Sequence, residues 1–339
     1  MKLLENVPLR DYTTMRLGGP ARYLTVAKKR EALVEAANWA LDNKLPILTL
    51  GGGSNVIVRD EGFAGLVIVN KIEGFEIIQD TAEFSVVRIG AGENWDDAVA
   101  HSVRKNLSGI EALSLIPGSA GATPVQNVGA YGQEIADTFI ELEAYDLTTR
   151  SFVTLKKDDC GFGYRTSIFK PLEGRRYLIA SITLGLFKEK PVPPFYPRLQ
   201  AMLDARHVTD YTPDAIRDAV IAIRTQRLPD PKELPNTGSF FKNPIVDAWT
   251  ADELRHKYPN LPIFEQPDGT FKLPAGWLLE HAGLKDYADY GMRTFANNAL
   301  VFINENAHNY QDLATFRDEV IGIVRTKYGI TLEQEPELI

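Results

Sequence analysis

The chain has 339 residues, which at roughly 150 residues per domain suggests two domains. Its composition, 44% hydrophobic and 24% charged, is that of a globular protein and excludes disordered, collagen-like and coiled-coil chains. A net charge of −8 and a single cysteine, Cys160, argue against general nucleic-acid binding and exclude disulfide staples, cysteine-cluster zinc sites and CxxC redox chemistry.

The first residues, Met1 to Asn6, lack the apolar core of a signal peptide. No apolar stretch approaches the ~20 residues of a spanning helix, so a cytoplasmic location without membrane insertion is expected. Residues 29–43 predict an amphipathic helix, with Leu33, Ala36, Ala37, Ala40 and Leu41 on one face. The apolar run Pro46–Leu50 reads as a strand leading into Gly51-Gly52-Gly53-Ser54-Asn55. Val56–Val58 and Gly65–Val69 read as further strands, and Phe75–Gly90 as a hairpin or meander. A helix starting near Glu93 should turn Trp95, Ala98, Val99 and Val103 inward. Residues 116–133 read as a long glycine-rich loop, followed by strands at 139–146 and 177–187.

Residues 189–197 carry Pro191, Pro193, Pro194 and Pro197 and read as a connector. Thr212-Pro213 predicts a helix start, and Pro229 and Pro231 stop that helix after Arg227. Short helices and strands alternate from 236 to 305. A last helix at about 310–328 should bury Leu313, Phe316, Val320, Val324 and Tyr328, with Gly329 as its stop and an extended tail beyond. The expected division is a domain of two lobes over 1–190 with a boundary near 70, a connector over 191–228, a second domain over 229–329, and a tail over 330–339 that returns to the active site.

Several common chemistries are missing. The dinucleotide fingerprint G-x-G-x-x-G, the P-loop and the G-x-S-x-G elbow are all absent. The five histidines, His101, His207, His256, His281 and His308, stand too far apart for a histidine-rich metal centre, and no metal is expected.

Five segments carry potential chemistry. The loop Gly51 to Asn55 can expose consecutive N–H groups to a diphosphate, or serve as a tight turn between strands. The uncharged loop Ile116 to Gly132 contains Gly118, Ser119, Gly121, Ala122, Thr123, Asn127, Gly129, Ala130 and Tyr131, and suits a flat ligand with a phosphate tail. Together the loops favour a dinucleotide bound outside the usual fold as much as two structural turns. In Gly163-Tyr164-Arg165-Thr166-Ser167, Arg165 suits a carboxylate or merely stacks on Tyr164. In Gly238-Ser239-Phe240-Phe241-Lys242-Asn243, the glycine permits a bend that presents the Ser239 hydroxyl, or Ser239 is an ordinary turn residue. Glu335-Pro336-Glu337 is either functional or a solvated tail.

In this order and spacing, G-G-G-S-N, I-P-G…Q-N-x-G-A-Y-G, G-Y-R-x-S-I-F-K, G-S-F-F-K-N-P and E-P-E resemble the MurB-type UDP-N-acetylenolpyruvoylglucosamine reductase family, from about Thr13 to Glu337. The resemblance implies an α+β fold. A two-lobed FAD-binding domain of the vanillyl-alcohol-oxidase (PCMH) type would be followed by an α+β substrate-binding domain. It further implies a cytoplasmic oxidoreductase of peptidoglycan precursor synthesis. That enzyme would use FAD and NADPH to reduce UDP-N-acetylglucosamine enolpyruvate to UDP-N-acetylmuramate, with no obligate protein partner. Arg165, Ser239 and Glu337 match catalytic positions, and Gly51–Asn55 and Gly118–Gly132 match flavin-binding segments. Tyr196 resembles a substrate-clamping tyrosine, and Arg227 takes the place of a lysine of some relatives. Tyr164, Lys242 and Asn243 join them as candidate substrate contacts.

In the implied reaction, NADPH reduces FAD and a hydride reaches the terminal carbon of the enolpyruvyl double bond. Arg165 would stabilise the charge that develops, Ser239 would donate a proton, and Glu337 would donate a hydrogen bond in its neutral form. No His or Cys stands at a flavin-loop position, so non-covalent FAD is expected. The alternatives are an O2-using flavin oxidase on the same scaffold and a flavin-binding protein without turnover.

Overall fold

Capping chemistry decides where the helices begin. The computed structural model describes all 339 residues. Asn94 accepts a hydrogen bond from the Asp97 N–H at 3.1 Å and starts the helix Trp95–Arg104, whose first turn carries Asp96 and Asp97. Thr212 does the same for the helix Pro213–Arg227, accepting from the Ala215 N–H at 3.1 Å. Asn309 caps the helix Tyr310–Tyr328, and Gly329 ends it at φ +72°. The helix Arg30–Asp42 buries Leu33, Ala36, Ala37 and Ala40.

The chain forms two compact units. The first comprises Met1–Val7, Ala21–Gly53 and Phe63–Thr225, and the second Pro8–Pro20, Ser54–Gly62 and Gln226–Ile339.

The first unit contains two large sheets and a small hairpin. One runs in the order Leu4–Pro8, Pro20–Ala27, Phe63–Asn70, Ile47–Leu50. Phe63–Asn70 is parallel to both of its neighbours, and Leu66, Val67 and Ile68 are wholly buried, as expected of a central parallel strand. The other sheet is antiparallel and runs in the order Ser151–Lys156, Phe139–Asp146, Tyr177–Phe187, Phe84–Gly90, Phe75–Asp80. Ile182 faces Ile89 and Leu184 faces Val87, and this layer packs against Trp95, Val99 and Val103.

The second unit is built on the antiparallel order Asn236–Ser239, Asn298–Asn304, Met292–Phe295, Ala288–Asp289. Phe240, Phe241, Phe302 and Phe316 fill its core, with the Phe240 and Phe302 rings stacked at 4.3 Å. A smaller sheet joins Ile245–Val246, Phe271–Lys272 and Phe264–Glu265.

Three boundaries differ from the sequence reading. Pro8–Pro20 and Ser54–Gly62, expected in the first domain, belong to the second unit because Met15, Leu17 and Ile57 are buried in its core. The connector and the helix after it belong to the first unit. There Leu199, Leu203, Ile216, Ala219, Val220 and Ile223 pack together with Ala112. The stretch 330–339 is not a separate tail: Glu337–Leu338 pairs in parallel with Val56–Ile57. The loop 116–133 is also more ordered than expected, holding a turn of 3₁₀ helix at Ala120–Ala122 and half of a small hairpin.

Candidate active site

The two glycine loops meet. A Cβ on Gly51 would lie 2.2 Å from Ser119 Oγ, and one on Gly52 would lie 2.9 Å from Gly118 Cα. Gly53 and Gly118 take φ values of +63° and +128°, which favour glycine. The backbones therefore approach as closely as atoms allow, and the sequence spends glycine on this contact. Glycine-only backbone of this kind suits an extended diphosphate such as that of FAD. Gly52→Ala is expected to weaken FAD retention at least tenfold, because the new methyl meets backbone that cannot swing aside. The ratio of flavin to protein absorbance after gel filtration measures it.

Farther along the second loop, several atoms are occupied within the chain. The Ala122 and Thr123 N–H groups donate to the Ser119 and Ala120 carbonyls. The buried Asn127 amide donates to the Gly163 carbonyl at 3.3 Å and accepts from the Ala136 N–H at 3.1 Å. Asn127 thus braces the loop against the segment that bears Arg165. Ser167 Oγ strengthens the brace, donating to the Val125 carbonyl at 2.6 Å.

Arg165 sits in a two-residue turn closed by reciprocal hydrogen bonds between Gly163 and Thr166 at 3.1 and 3.2 Å. Its φ is +54°, a conformation usually given to glycine or asparagine. The guanidinium carbon lies 5.6 Å from the Tyr164 ring centre. A Cβ on Gly129 would lie 3.5 Å from Arg165 Nη1, so the cation rests against the hairpin formed by Gly129–Ala130 and Gln133–Glu134. At the tip of that hairpin, Tyr131 and Gly132 take φ values of +50° and +88°. The Tyr131 ring meets the Tyr196 ring edge-on, with centres 6.0 Å apart. Beside them lies a cleft of about 440 Å³, lined among others by Glu111, Gln133, Phe187, Phe195 and Leu199. Glu111 is buried there, which pushes its carboxyl above the usual range. Its oxygens accept from the Gly109 N–H at 2.5 Å and the Gln133 amide at 2.8 Å.

The second unit carries the remaining candidates. Ser239 ends its strand opposite Val301, preceded by Gly238 at φ +71° with open space where a Cβ would point. The residue beyond it bonds on both sides: the Phe240 N–H reaches the Leu300 carbonyl, and the Glu335 N–H reaches the Phe240 carbonyl. From there the chain continues to Glu337, whose N–H donates to the Asn55 carbonyl at 2.9 Å. Gln334 is held by Arg317 at 3.0 Å. Of the expected substrate contacts here, Lys242 pairs with Glu333 at 3.0 Å, and Arg227 lies 3.8 Å from Glu280. Asn243 accepts from the Ala275 N–H at 3.0 Å, at the start of the helix Ala275–His281.

Two cations escaped the sequence reading. Lys272 lies between the half-exposed Ile245 and Phe264, its register partners on either side. Arg224 hydrogen-bonds the Tyr131 phenol from the helix Pro213–Arg227. Its signal was present: Arg224 continues the buried i, i+4 stripe of Ile216 and Val220.

An FAD binding domain model matches residues 21–151, and a model of the C-terminal domain of UDP-N-acetylenolpyruvoylglucosamine reductase matches residues 230–339. The UDP-N-acetylenolpyruvoylglucosamine reductase of Ralstonia nicotianae is 40% identical over 343 residues, covering 100% of both chains. The chain belongs to the UDP-N-acetylenolpyruvoylglucosamine reductase family. It is thereby a flavin-dependent oxidoreductase. The family's representatives in Amoebophilus asiaticus and Pseudomonas aeruginosa are 38% and 37% identical, each covering 100% of this chain and 100% and 99% of their own. In fold, the chain is similar to the crystal structure of the Thermus caldophilus reductase. The TM-score is 0.69 at 24% identity, covering 100% of this chain and 99% of that one. No helix is long and apolar enough to cross a membrane.

Proposed function

We propose that the protein reduces UDP-N-acetylglucosamine enolpyruvate to UDP-N-acetylmuramate, with NADPH as the reductant, in the cytoplasmic stage of peptidoglycan precursor synthesis. The observation that carries this reading is full-length identity to named reductases together with an arginine held in a left-handed turn against the glycine-rich hairpin.

The backbone of Gly51, Gly52, Gly53, Gly118 and Ser119 would hold the cofactor's diphosphate, and Ser54 and Asn55 continue that loop. When bound, FAD supplies the hydride that adds to the terminal carbon of the enolpyruvyl double bond. The chain's residues then manage charge and protons. Electron density moves toward the α-carbon and its carboxylate as that carbon–hydrogen bond forms. Arg165 meets this charge with a cation fixed by its turn, a role worth about 3 kcal/mol per preorganised donor. Ser239 donates its hydroxyl proton to the α-carbon. Glu337 acts as a hydrogen-bond donor to the developing charge.

Two half-reactions test the proposal. Under anaerobic conditions NADPH should bleach the yellow protein, and UDP-N-acetylglucosamine enolpyruvate should restore the colour stoichiometrically. Acid should release intact FAD. A colourless protein that takes up no FAD, or a reduced flavin that the sugar nucleotide cannot reoxidise, would reject the reading.

Tyr196 lies in the proline-punctuated connector and is 50% exposed, which supports its reading as a substrate contact. Tyr196→Phe keeps the ring and removes one hydrogen-bonding group. It should raise KM for the sugar nucleotide about fivefold and that for NADPH much less. Equal changes in both constants would remove Tyr196 from the specific substrate contacts.

A further inference from the structure

We propose that Arg224 is a positioning residue: it fixes the Tyr131 phenol, and through it the aromatic seat on which Tyr196 rests. The inference rests on the reading of Tyr196 as a substrate contact.

Tyr131 is in an unfavourable place for a tyrosine. It occupies the first of two loop positions between the paired residues Ala130 and Gln133, and both positions have positive φ. Such a turn selects asparagine or glycine first, and a bulky side chain there costs conformational energy. The side chain must therefore be wanted for itself, and something must hold it. The holder is on another element. Arg224 bonds the phenol from the helix Pro213–Arg227.

Arg224 is itself expensive. Its Nε is shut off from solvent and makes no hydrogen bond within the chain. Burial pushes the guanidinium below its usual range, against the opposing pull of Tyr131 and Asp96. Yet Asp96 does not pair directly with it. That carboxylate is taken by Arg217, through two bonds of 2.6 and 2.9 Å. The same helix thus spends Arg217 on an ordinary ion pair and Arg224 on a phenol. A part-buried cation whose Nε is closed off from solvent and whose partner is a neutral group is a poor stabilising device, which points to positioning.

The phenol's other neighbour completes the path. The Tyr131 and Tyr196 rings meet edge-on at 82° with centres 6.0 Å apart. A Cβ on Gly132 would lie 3.8 Å from Tyr196 Cβ, so the hairpin tip and the connector are in van der Waals contact. With Arg224 removed, Tyr131 gains rotamer freedom and Tyr196 loses a fixed neighbour. Ligand binding must then order both rings.

The test uses the FAD-loaded enzyme and UDP as the probe, read by the perturbation of flavin absorbance, with KM for the sugar nucleotide alongside. Arg224→Gln and Tyr131→Phe should each weaken UDP binding about fivefold, with the effect falling on KM rather than kcat. Arg224→Lys should recover part of the loss. The decisive result is non-additivity: either substitution combined with Tyr196→Phe should be no weaker than the worse single variant. Additive losses overturn the proposal. So does a flavin absorption band that moves in Arg224→Gln but not in Tyr131→Phe, which would mean direct contact with the cofactor. If Tyr196→Phe weakens UDP and Arg224→Gln does not, the clamp stands and the positioning role fails. If Tyr196→Phe has no effect, the clamp reading fails, and the path through it with it. Should Arg224→Gln not fold, Tyr131→Phe, which removes a single oxygen, carries the same comparison.

Discussion

Ser239→Ala should still let NADPH bleach the flavin at the wild-type rate, while reoxidation by the enolpyruvyl sugar nucleotide falls about 10³-fold. The size is that of a lost general acid. The asymmetry follows from the chemistry, since only the second half-reaction needs a proton at the α-carbon. The structure makes the substitution a clean one. Ser239 ends a strand whose position is set by its neighbours. The Phe240 backbone is bonded to Leu300 and Glu335, and the Phe240 and Phe241 rings are buried against Phe302. Removing one half-buried oxygen leaves that frame in place. Stopped-flow absorbance of the flavin band resolves the two steps on one sample. An equal fall in both would make Ser239 structural.

The parts of the molecule that local rules govern were readable from the sequence. Helix limits at Pro213–Arg227 and Tyr310–Tyr328 follow from Thr212-Pro213, Asn309 and Gly329, each acting on its own turn. The strands Phe139–Asp146 and Tyr177–Phe187 declare themselves by composition. The long-range assignments were not readable. Nothing near Met15 or Ile57 says that these residues are buried in a core made mostly of residues beyond Gln226. Nor does the local sequence say that Val56–Ile57 pairs with Glu337–Leu338, nearly 300 positions away. The glycine loops were legible as loops, but not as surfaces in contact, because a glycine announces freedom and not its neighbour. Asn127 and Arg224 show what the local sequence leaves unsaid. The bonds by which Asn127 braces its loop reach Gly163 and Ala136, and no motif announces them. Arg224 was overlooked because a charged residue in a charged helix draws no notice until its place on the buried stripe is considered.

Glu337 is the position where structure most changes the experiment. As a free end, residues 335–339 could be deleted at no cost to folding. Here Glu337–Leu338 is a strand, and the residues on either side of it are hydrogen-bonded. Deletion removes four backbone hydrogen bonds: Glu335 N–H to Phe240, Glu337 N–H to Asn55, Ile339 N–H to Ile57, and Arg59 N–H to Ile339. At about 1 kcal/mol each, the loss approaches the whole stability margin of a modest domain. Leu338 also packs against the core of the second unit, and Pro336 is buried. The truncated chain is therefore expected to melt well below the full-length protein, and its inactivity would say nothing about catalysis. Point substitution separates the two roles. Glu337→Gln and Glu337→Ala both leave the backbone ladder intact, so thermal melts should stay within a few degrees of the parent. Activity should divide them. Glutamine still offers a hydrogen-bond donor and should retain about a tenth of the reoxidation rate. Alanine offers none and should fall by about 10²–10³-fold, the loss typical of one donor to developing negative charge. Equal activity in the two variants would remove hydrogen-bond donation from Glu337. Wild-type activity in Glu337→Ala would leave the residue as no more than part of the strand.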